Sequence, residues 1–503
     1  MAALLLAATA CERSFDESSA SGDVSTLRVL NPGGEGIFGP DWPAKFLVFL
    51  PLVQRGADGS LEGQLARSWE HTPDFRSWVF HLRSGLEWHD GRPVTAEDVK
   101  FSLDLLSHPE VRYDPPGRTV TVVDDTTVSI TYESGGDALN TWTVVYPKHL
   151  LETLDPADFF QWDFWNRPVG NGPYRFVDRI PETAIELEAN SKYWAGAPRI
   201  DRVVLKIGQD YGEASGLLEL LSGNVDAIPY VQPADLVPVE ERDEYRTYYS
   251  FDAGILAVLA WNQAHPALAD RRVRRALSLA IDRPELRSAL NLPAEIPIFD
   301  VLLVDRAPRH GVLPEPLSHD PSEARRLLEE AGWLDRDGDG VREKAGDRLH
   351  LSLLTSTWQQ APRAAVIVQA KLREVGAAVE VRQLDLQIVR QKVREGEFDV
   401  ALIPTFPGTG APLNHSELLG RGGILGWNDR TAAALLDSTV TAVSPERQEE
   451  YYRRLWPLLS RDMPITVLYP AVWMTVCHRR VRGLSSPWRA DPLWYAGELW
   501  IEG

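Results

Sequence analysis

The fold of this chain is decided by residues 59–101, which read GSLEGQLARSWEHTPDFRSWVFHLRSGLEWHDGRPVTAEDVKF. Within this stretch Trp78, Phe80 and Leu82 occupy alternate positions, and this period of two predicts a β-strand with one buried face. Asp90 is followed by a glycine, a dipeptide that predicts a tight turn. The sequence therefore predicts a strand that leads through a turn into the segment after it.

A helix is predicted directly after this turn. The Thr95 hydroxyl can accept a hydrogen bond from the backbone amide three residues later, and the Asp98 carboxylate there can accept one from the Thr95 amide. Val99, Leu103 and Leu106 are spaced to form one apolar stripe. We therefore expect a capped, amphipathic helix that begins after Thr95.

This order of strand, turn and capped helix resembles the family 5 extracellular solute-binding proteins of ABC transporters, the peptide- and nickel-binding group. Further motifs of the family follow in the expected order, and the resemblance covers roughly residues 27–481. The motifs are GNGPY at 170–174, NSKYW at 190–194, LSGNVDAI at 221–228, LAWN at 259–262, VRRALSLAIDR at 273–283, the segment 320–333 and FDV at 398–400.

The resemblance implies an α/β, periplasmic-binding-protein-like fold of type II with an extra subdomain, in which a hinge of two crossing segments joins two lobes. Residues 26–258 would form lobe I, with an inserted subdomain at about 51–165, and residues 259–474 would form lobe II. Residues 475–503 would return to lobe I. The pattern between residues 349 and 403 agrees, because strand-like and helix-like segments alternate there as in βαβ units.

The resemblance also implies a function, the capture of a small solute between the lobes and its delivery to the permease subunits of an ABC importer.

The charge of the chain argues against nucleic acid as a partner. There are 52 Lys and Arg residues against 72 Asp and Glu residues, a net charge of −20. Such a surface repels phosphate backbones and anionic lipid. We therefore expect contact with a membrane through a lipid anchor only.

The first residues predict export and anchoring. Residues 4–10 are apolar, too short to span a bilayer, and lead into Cys11. This opening resembles a bacterial lipoprotein signal, so we expect residues 1–11 to be that signal, with Cys11 lipidated. Residues 12–25 have the polar composition of a flexible tether. The protein would then be periplasmic or at the cell surface, anchored as a lipoprotein; an ordinary secretory signal or a chance cysteine is the alternative.

The sequence carries no pattern that we recognise as catalytic. There is no G-x-S-x-G elbow, no H-E-x-x-H, no Walker A loop and no cysteine cluster with zinc spacing. Cys477 is the only cysteine besides Cys11, and we expect a buried, inert thiol. We predict a monomeric binding protein without a cofactor, not an enzyme. A secreted hydrolase and a scaffold lipoprotein with a dead pocket are the alternatives from other classes.

One stretch imitates a calcium loop. Residues 335–340 read DRDGDG, with carboxylates at alternate positions as at the start of an EF-hand. The bidentate glutamate that such a loop needs at its twelfth position is replaced by Gly346, and no pair of EF helices is predicted around it. We predict a tight Asx-type turn and no metal site, with a bound cation as the alternative.

The resemblance also bears on the ligand. Peptide-binding members of the family usually hold the α-amine of the peptide with an aspartate in a D-Y-x-D-P segment, soon after the strand that corresponds here to residues 398–403. Residues 400–416 of this chain read VALIPTFPGTGAPLNHS and contain no acid. An ammonium is costly to bury unpaired. We therefore expect a peptide or related solute other than ordinary free peptides, unless an acid from another loop takes over; a saccharide or a nickel-type chelate is the alternative.

Aromatic side chains give the second clue to the ligand. The chain has 17 Trp residues, and Trp is a flat, amphipathic platform on which sugars, apolar groups or cations stack. For Trp261, Trp358 and Trp427, ligand contact and packing are both open interpretations.

The loop after the predicted strand 27–30 also bears on the site, because it lies at the carboxyl end of a strand, where ligands of α/β sheets bind. The predicted ligand-binding residues are Gly36, Phe38, Trp261, Asn262, Trp358, Thr405, Phe406, Trp427 and Asn428.

Overall fold

The structure of the protein is a computed structural model that describes residues 24–31, 44–55, 61–74, 76–111, 117–132, 143–208, 214–298, 302, 316–406, 413–440, 445–487 and 490–502. Cys11, Gly36 and Phe38 lie outside these residues, as do residues 12–23 of the predicted tether. Within the described ranges, no helix has the length and apolar character needed to cross a membrane.

The strands follow one another along the whole chain. They are β1 (Thr26–Asn31), β2 (Val53–Arg55), β3 (Leu61–Gly63), β4 (Ala66–His71), β5 (Ser77–Leu82), β6 (Arg118–Asp124), β7 (Thr127–Tyr132), β8 (Tyr174–Ile180), β9 (Ala184–Ala189), β10 (Arg202–Ile207), β11 (Ala227–Val231), β12 (Tyr245–Trp261), β13 (Glu343–Lys344), β14 (Asp347–Arg348), β15 (His350–Thr355), β16 (Ala378–Gln383), β17 (Val400–Thr405), β18 (Ile465–His478), β19 (Val481–Arg482) and β20 (Trp500–Ile501).

The helices concentrate in the second part of the chain. They are α1 (Lys45–Val48), α2 (Ala96–Leu106), α3 (Lys148–Leu151), α4 (Ala214–Leu221), α5 (Val237–Glu240), α6 (Arg271–Leu279), α7 (Arg283–Ala289), α8 (Pro321–Glu330), α9 (Ala361–Glu374), α10 (Leu386–Glu395), α11 (His415–Leu419), α12 (Arg430–Val440), α13 (Pro445–Asp462) and α14 (Pro492–Tyr495). The alternation predicted between residues 349 and 403 is confirmed by β15, α9, β16, α10 and β17.

The stretch that decides the fold forms the predicted elements. Strand β5 lies inside a four-stranded antiparallel sheet of order β4-β5-β7-β6, with Trp78 and Phe80 buried on one face. Helix α2 begins with the predicted capping box, in which the Thr95 amide donates to Oδ2 of Asp98 at 2.9 Å. The indole N–H of Trp88 donates to the same carboxylate at 3.4 Å. The sequence signals therefore fix this sheet and its helix locally.

A ten-stranded mixed sheet runs through the protein in the order β16-β15-β17-β12-β18-β11-β1-β10-β9-β8. Strand β1 is parallel to β10 and β11, and β15 is parallel to β16 and β17. The long antiparallel strands β12 and β18 lie between these two groups. We call β1 with β8–β11 the first half of the sheet, β15–β17 the second half, and β12 and β18 the hinge strands.

The hinge strands are irregular in their middle. The register between β12 and β18 shifts between Asp252 and Leu256 and again between Ala257 and Val258. Register shifts of this kind bend a strand and increase its twist. The predicted lobe boundaries, 258/259 and 474/475, fall inside β12 and β18 and not in a linker. The two halves are therefore connected by continuous but bent strands, and the exact division into lobes stays a prediction.

Three clusters of buried apolar side chains stabilise these layers. The first holds residues of β1 and the four-stranded sheet, the second lies under helices α6 to α9, and the third lies under α11 to α13. Each fully buried large apolar side chain contributes roughly 1.5–3 kcal/mol. Cys477 is a buried free thiol within the first cluster, and burial raises its pKa to about 12. The predicted burial of this thiol is confirmed, and its inertness stays a prediction.

Candidate functional site

The strands of the two halves end opposite one another, over the middle of the hinge strands. In the first half, Val231 at the end of β11 pairs with Met474 of β18, which pairs with Tyr249 of β12. In the second half, Thr405 at the end of β17 pairs with Leu256 of β12. The carboxyl ends of both halves therefore point at one short hinge segment. Since ligands of open α/β sheets bind outside the carboxyl ends of strands, we place the candidate site there.

Two glutamines join the halves at this place. Gln232 follows β11 directly, and Gln360 directly precedes α9. Nε2 of Gln360 donates a hydrogen bond to Oε1 of Gln232 at 2.7 Å. Its neighbour Gln359 has a left-handed φ of 44°, uncommon for a residue other than glycine, and accepts a bond from the Val472 amide of β18 at 3.4 Å. The loop between β15 and α9 thus reaches both the first half and the hinge.

Uncharged polar atoms without a partner surround the hinge. Leaving a buried donor or acceptor unpaired costs about 1–3 kcal/mol, so each such atom requires an explanation. Burial raises the pKa of one of them, the Tyr469 hydroxyl, which therefore stays protonated. The buried atoms without a hydrogen-bond partner in the strands and loop described above are Nδ2 of Asn31, Oγ1 of Thr355, Oε1 of Gln360 and the hydroxyl of Tyr469.

The charged groups beside the two glutamines are opposite in sign. Asp235 lies in a 3-10 turn (Pro233–Asp235) just after Gln232, and Arg363 lies in the first turn of α9. Burial raises the pKa of the Asp235 carboxyl, and the positive charge of Arg363 lowers it in part. Arg363 also donates to the carbonyl of Ala289 at 3.1 Å. One charge of each sign therefore stands at the boundary between the halves.

Trp261 does not line this site, contrary to the interpretation of ligand contact. Its side chain has no exposed surface, and its indole N–H donates to Oγ1 of Thr466 at 2.9 Å inside the second cluster. It stands at the end of β12 away from the hinge segment. These contacts are those of the packing alternative, because the indole is enclosed in apolar side chains and its nitrogen is hydrogen-bonded within the fold.

Asn262 and Trp427 also have structural roles. The Asn262 amide donates to the carbonyls of Gly396 and Phe398, at 3.2 and 2.7 Å, and is buried. Trp427 is buried in the third cluster, and its indole N–H donates to Oδ2 of Asp462 at 3.1 Å. In this conformation both side chains make structural contacts, and a contact of either with a solute stays a prediction. Their polar atoms are occupied by the fold.

Asn428, which follows Trp427, is exposed. Thr405 ends β17 and is fully buried, and its hydroxyl donates to the carbonyl of Leu413 at 2.9 Å. The Thr405 backbone pairs with the hinge segment, but its hydroxyl is used in the hydrogen bond to Leu413, which lies beyond β17. Neither residue brings a free polar side chain to the hinge, and a contact of either with a solute stays a prediction.

Phe406 and Trp358 are the predicted residues that the structure brings to the candidate site. Phe406 directly follows β17 and is half-buried. Trp358 is half-buried in the loop between β15 and α9, two residues before Gln360, where it packs against the edge of the second cluster. These rings stand at carboxyl ends in the second half, so they can flank a solute over the hinge.

The polar side chains at the end of the segment without acids, residues 400–416, and the first acid after it form hydrogen bonds within the second half. Asn414 accepts a hydrogen bond from the Glu417 amide at 2.9 Å and so caps α11. Glu417, the first acid after this segment, accepts bonds from the Leu413 amide at 2.7 Å and from Nε of Arg394 at 2.6 Å. Both groups are engaged within the second half. No carboxylate of this part of the described chain is therefore free to pair an ammonium.

Gln232 and Gln360 are not among the residues predicted from the sequence, because neither is an aromatic platform or part of a family motif. The available signal was positional: Gln232 directly follows the buried strand Ala227–Val231, and Gln360 precedes an Ala-Pro helix start. Their contact joins residues 128 positions apart, and no local pattern encodes such a pairing.

The acidic loop after α8 adopts the predicted turn. Oδ1 and Oδ2 of Asp335 accept bonds from the amides of Gly338 and Gly340, at 2.8 and 3.1 Å. Asp339 accepts from the Val341 amide at 2.9 Å and pairs with Arg348. These bonds are those of an Asx-type turn. The carboxylates that approach one another closely enough to hold a cation are Asp335, Asp337, Asp339 and Glu343.

His89 and Asp90, which lie at the turn before α2, connect loops of the first half. The Nδ1 atom of His89 accepts from the Gly170 amide at 3.2 Å, and Nε2 lies 3.1 Å from the Gly172 carbonyl. The ring is neutral, because burial lowers its pKa to about 4. Asp90 bonds the ring of His149 at 2.8 Å. These contacts stabilise the fold.

Comparisons with known proteins give a consistent family. A family model described as bacterial extracellular solute-binding proteins, family 5 Middle, matches residues 60–424. The oligopeptide-binding protein AppA of Bacillus subtilis is 24% identical over 413 residues, which is 77% of this chain and 74% of that protein. The nickel-binding periplasmic protein of Escherichia coli K12 is 25% identical over 509 residues, 96% of this chain and 94% of that protein.

The fold is shared with solved structures. The ABC transporter substrate-binding protein CtaP from Listeria monocytogenes matches with a TM-score of 0.78 at 21% identity, over 95% of this chain and 100% of that one. A likeness at this identity concerns the fold alone. It confirms the predicted periplasmic-binding-protein-like α/β fold.

Proposed function

Because the chain belongs to family 5 of the bacterial extracellular solute-binding proteins, and is thus a substrate-binding protein of an ABC transporter and not an enzyme, we propose that it encloses a peptide-like solute between two lobes and delivers it to a membrane permease. One observation carries this proposal. The carboxyl ends of both halves of the sheet point at the irregular middle of the hinge strands.

We divide the chain as the resemblance implies, with residues 26–258 as lobe I, residues 259–474 as lobe II and residues 475–503 returning to lobe I. Contacts of the C-terminal segment with the first half of the sheet support this division. The Tyr174 hydroxyl donates to the Ala496 carbonyl at 3.2 Å, and the Tyr230 hydroxyl to Asp491 at 2.6 Å.

The relatives favour a peptide-like solute, since one of them is named an oligopeptide-binding protein. A metal chelate is the second candidate, because the relative that the chain matches over nearly its whole length is named a nickel-binding protein. The hinge favours the first, because the buried groups that lack a partner among the described residues are two amides, a hydroxyl and a phenol, which suit amide or hydroxyl groups of an organic solute.

We propose that the protein works outside the cytoplasmic membrane as a monomer held by a lipid anchor on Cys11, with residues 12–25 as its tether. Membrane partition of the wild type, and its loss or failure of processing in Cys11→Ser, is expected. Unchanged membrane attachment of Cys11→Ser would contradict the anchor.

Closure of the lobes is the test of the mechanism. With a bound solute the closed state gains free energy in proportion to its differential affinity, so the molecule becomes more compact and more stable. At a hundredfold excess over Kd the stabilisation is about 2.7 kcal/mol. Small-angle scattering and thermal unfolding with a peptide library measure both. Identical scattering envelopes despite tight binding would contradict lobe closure.

A further inference from the structure

The contact between Gln232 and Gln360 is chemically incomplete. The single hydrogen bond between them uses one donor of Gln360 and the oxygen of Gln232. Oε1 of Gln360 is buried and has no hydrogen-bond partner among the residues that the structure describes, and the side chain as a whole is 4% exposed. A carbonyl oxygen of this kind is satisfied only by an N–H or O–H donor.

Thr355 adds a second uncharged group to the same loop. It ends β15, five residues before Gln360, and its side chain has no exposed surface. Its Oγ1 has no partner among the described residues, and a hydroxyl can donate as well as accept. The loop between β15 and α9 therefore brings an acceptor and a donor–acceptor to the boundary between the halves.

The charges at this boundary do not select an ammonium. Asp235 is the acid next to the bridge, and the positive charge of Arg363 stabilises its carboxylate and offsets its negative charge. A ligand ammonium would bring a second positive charge beside Arg363, which a half-buried site disfavours. Further along the second half, Glu417 is engaged by Arg394 and by a backbone amide.

We propose that Gln360, together with Gln232 and Thr355, forms a subsite for an uncharged N–H or O–H group of the solute, such as a peptide amide. The inference rests on the proposed function and narrows its substrate class to peptides whose amine is acylated or otherwise absent, as in cyclic peptides. A free α-amine would have to stay outside this subsite, in water, or pair with Asp235 against Arg363.

The test uses the full-length protein and one lysine-free synthetic tripeptide library, free and N-acetylated, with binding measured by native mass spectrometry and calorimetry. The wild type should bind the acetylated tripeptides at least as tightly as the free ones. Gln360→Ala should weaken binding of the acetylated form about fivefold, the usual effect of losing one hydrogen bond. Gln391→Ala, at an exposed glutamine of α10 that bonds only Glu395, is the matched control and should change nothing.

A specificity variant sharpens the test. Gln360→Glu replaces the amide by a carboxylate of the same shape, to which Gln232 can donate after turning its own amide. We expect this variant to prefer free over acetylated tripeptides by about tenfold relative to the wild type, because the new charge pairs the α-amine. Thermal unfolding of each variant shows that the fold persists.

Two results would overturn the subsite. One is equal affinity of the wild type and Gln360→Ala for acetylated tripeptides. The other is a preference of the wild type for free tripeptides that Asp235→Asn abolishes, which would assign the amine to Asp235 and leave the proposed function intact. If neither form of the library binds or compacts the protein, the peptide-binding function itself fails, and the subsite with it.

Discussion

Two places along strand β12, its Trp261 end and its irregular middle at the hinge, differ in how the polar groups around them are satisfied. At the end marked by Trp261, the indole N–H, the Asn262 amide and the Thr466 hydroxyl all have partners inside the fold. At the hinge, Gln360 and Thr355 have buried polar atoms without a partner in the part of the chain that the structure describes. Both places are buried, so burial alone does not separate a packed core from a place that can receive a solute. The accounting of hydrogen bonds does.

The family motif LAWN at residues 259–262 marks the Trp261 end of β12 and not the hinge. The Trp-Asn pair at the end of β12 is easy to recognise in the sequence, yet its side chains stabilise the second half of the sheet. The hinge residues carry no recognisable motif, because they act as pairs between distant segments. A motif in a binding protein can thus mark a core that positions the site, and not the site.

The largest expected effect distinguishes the two places by their contribution to stability. Trp261→Ala should lower the free energy of unfolding by about 3–5 kcal/mol, since it removes a fully buried indole and leaves the Thr466 hydroxyl short of a donor. Urea unfolding measures this loss. Trp427→Ala should behave similarly. A Trp261→Ala protein of wild-type stability with weakened solute binding would show that the packing assignment is wrong.

The second effect concerns His415, a buried histidine at the start of α11. Its Nδ1 pairs with the Tyr452 hydroxyl at 2.8 Å, while Nε2 is buried and has no partner among the described residues, and burial lowers the pKa of the ring to about 3. The unfolded chain takes up a proton near the ordinary value of 6.5, and the folded protein does not. Stability is therefore complete above pH 6.5 and falls as the pH drops from 6.5 towards 3, by up to about 1.4 kcal/mol per pH unit.

His415→Gln should remove this part of the acid sensitivity. Denaturant unfolding between pH 7 and 5 gives the number of protons taken up, which should fall by up to one relative to the wild type. His350→Gln, at an exposed histidine, is the matched control. An unchanged slope in His415→Gln would mean that the buried ring is protonated in the folded protein and that Nε2 has an acceptor.

Much of this architecture can be predicted from local sequence patterns, whereas the candidate site cannot. The period of two in β5 and the capping box of α2 are contacts within a few residues, so the sequence predicts them. The register shift in β12 lies where this strand pairs with residues of β18 more than two hundred positions away, such as Pro470 opposite Leu256. The pairing of Gln232 with Gln360 likewise exists only after both halves have folded, so neither could be read from the residues around it.

The third effect is on affinity. Trp358 is half-buried beside Gln360, so Trp358→Ala should cost only ~1 kcal/mol of stability but weaken binding of acetylated tripeptides about tenfold, the value of one buried aromatic contact. Calorimetry on the folded variant measures it, and Trp427→Ala assayed under stabilising conditions is the control. If Trp358→Ala loses stability like Trp261→Ala and keeps its affinity, the ring belongs to the core and the hinge loop has been assigned wrongly.

The smallest expected effect gives the most closely matched comparison, because it compares two buried threonines, Thr355 and Thr466, in strands of the same sheet. Thr355→Val keeps the shape of the side chain and removes a hydroxyl without a partner, so the free energy of unfolding should rise by about 1 kcal/mol while solute affinity falls. Thr466→Val removes a hydroxyl that bonds both Trp261 and Ser278, so stability should fall by a similar amount. Chemical unfolding of both variants gives the two signs. If Thr355→Val also loses stability, its hydroxyl has a partner in the folded protein, and the contrast between a satisfied core and an unsatisfied hinge does not hold.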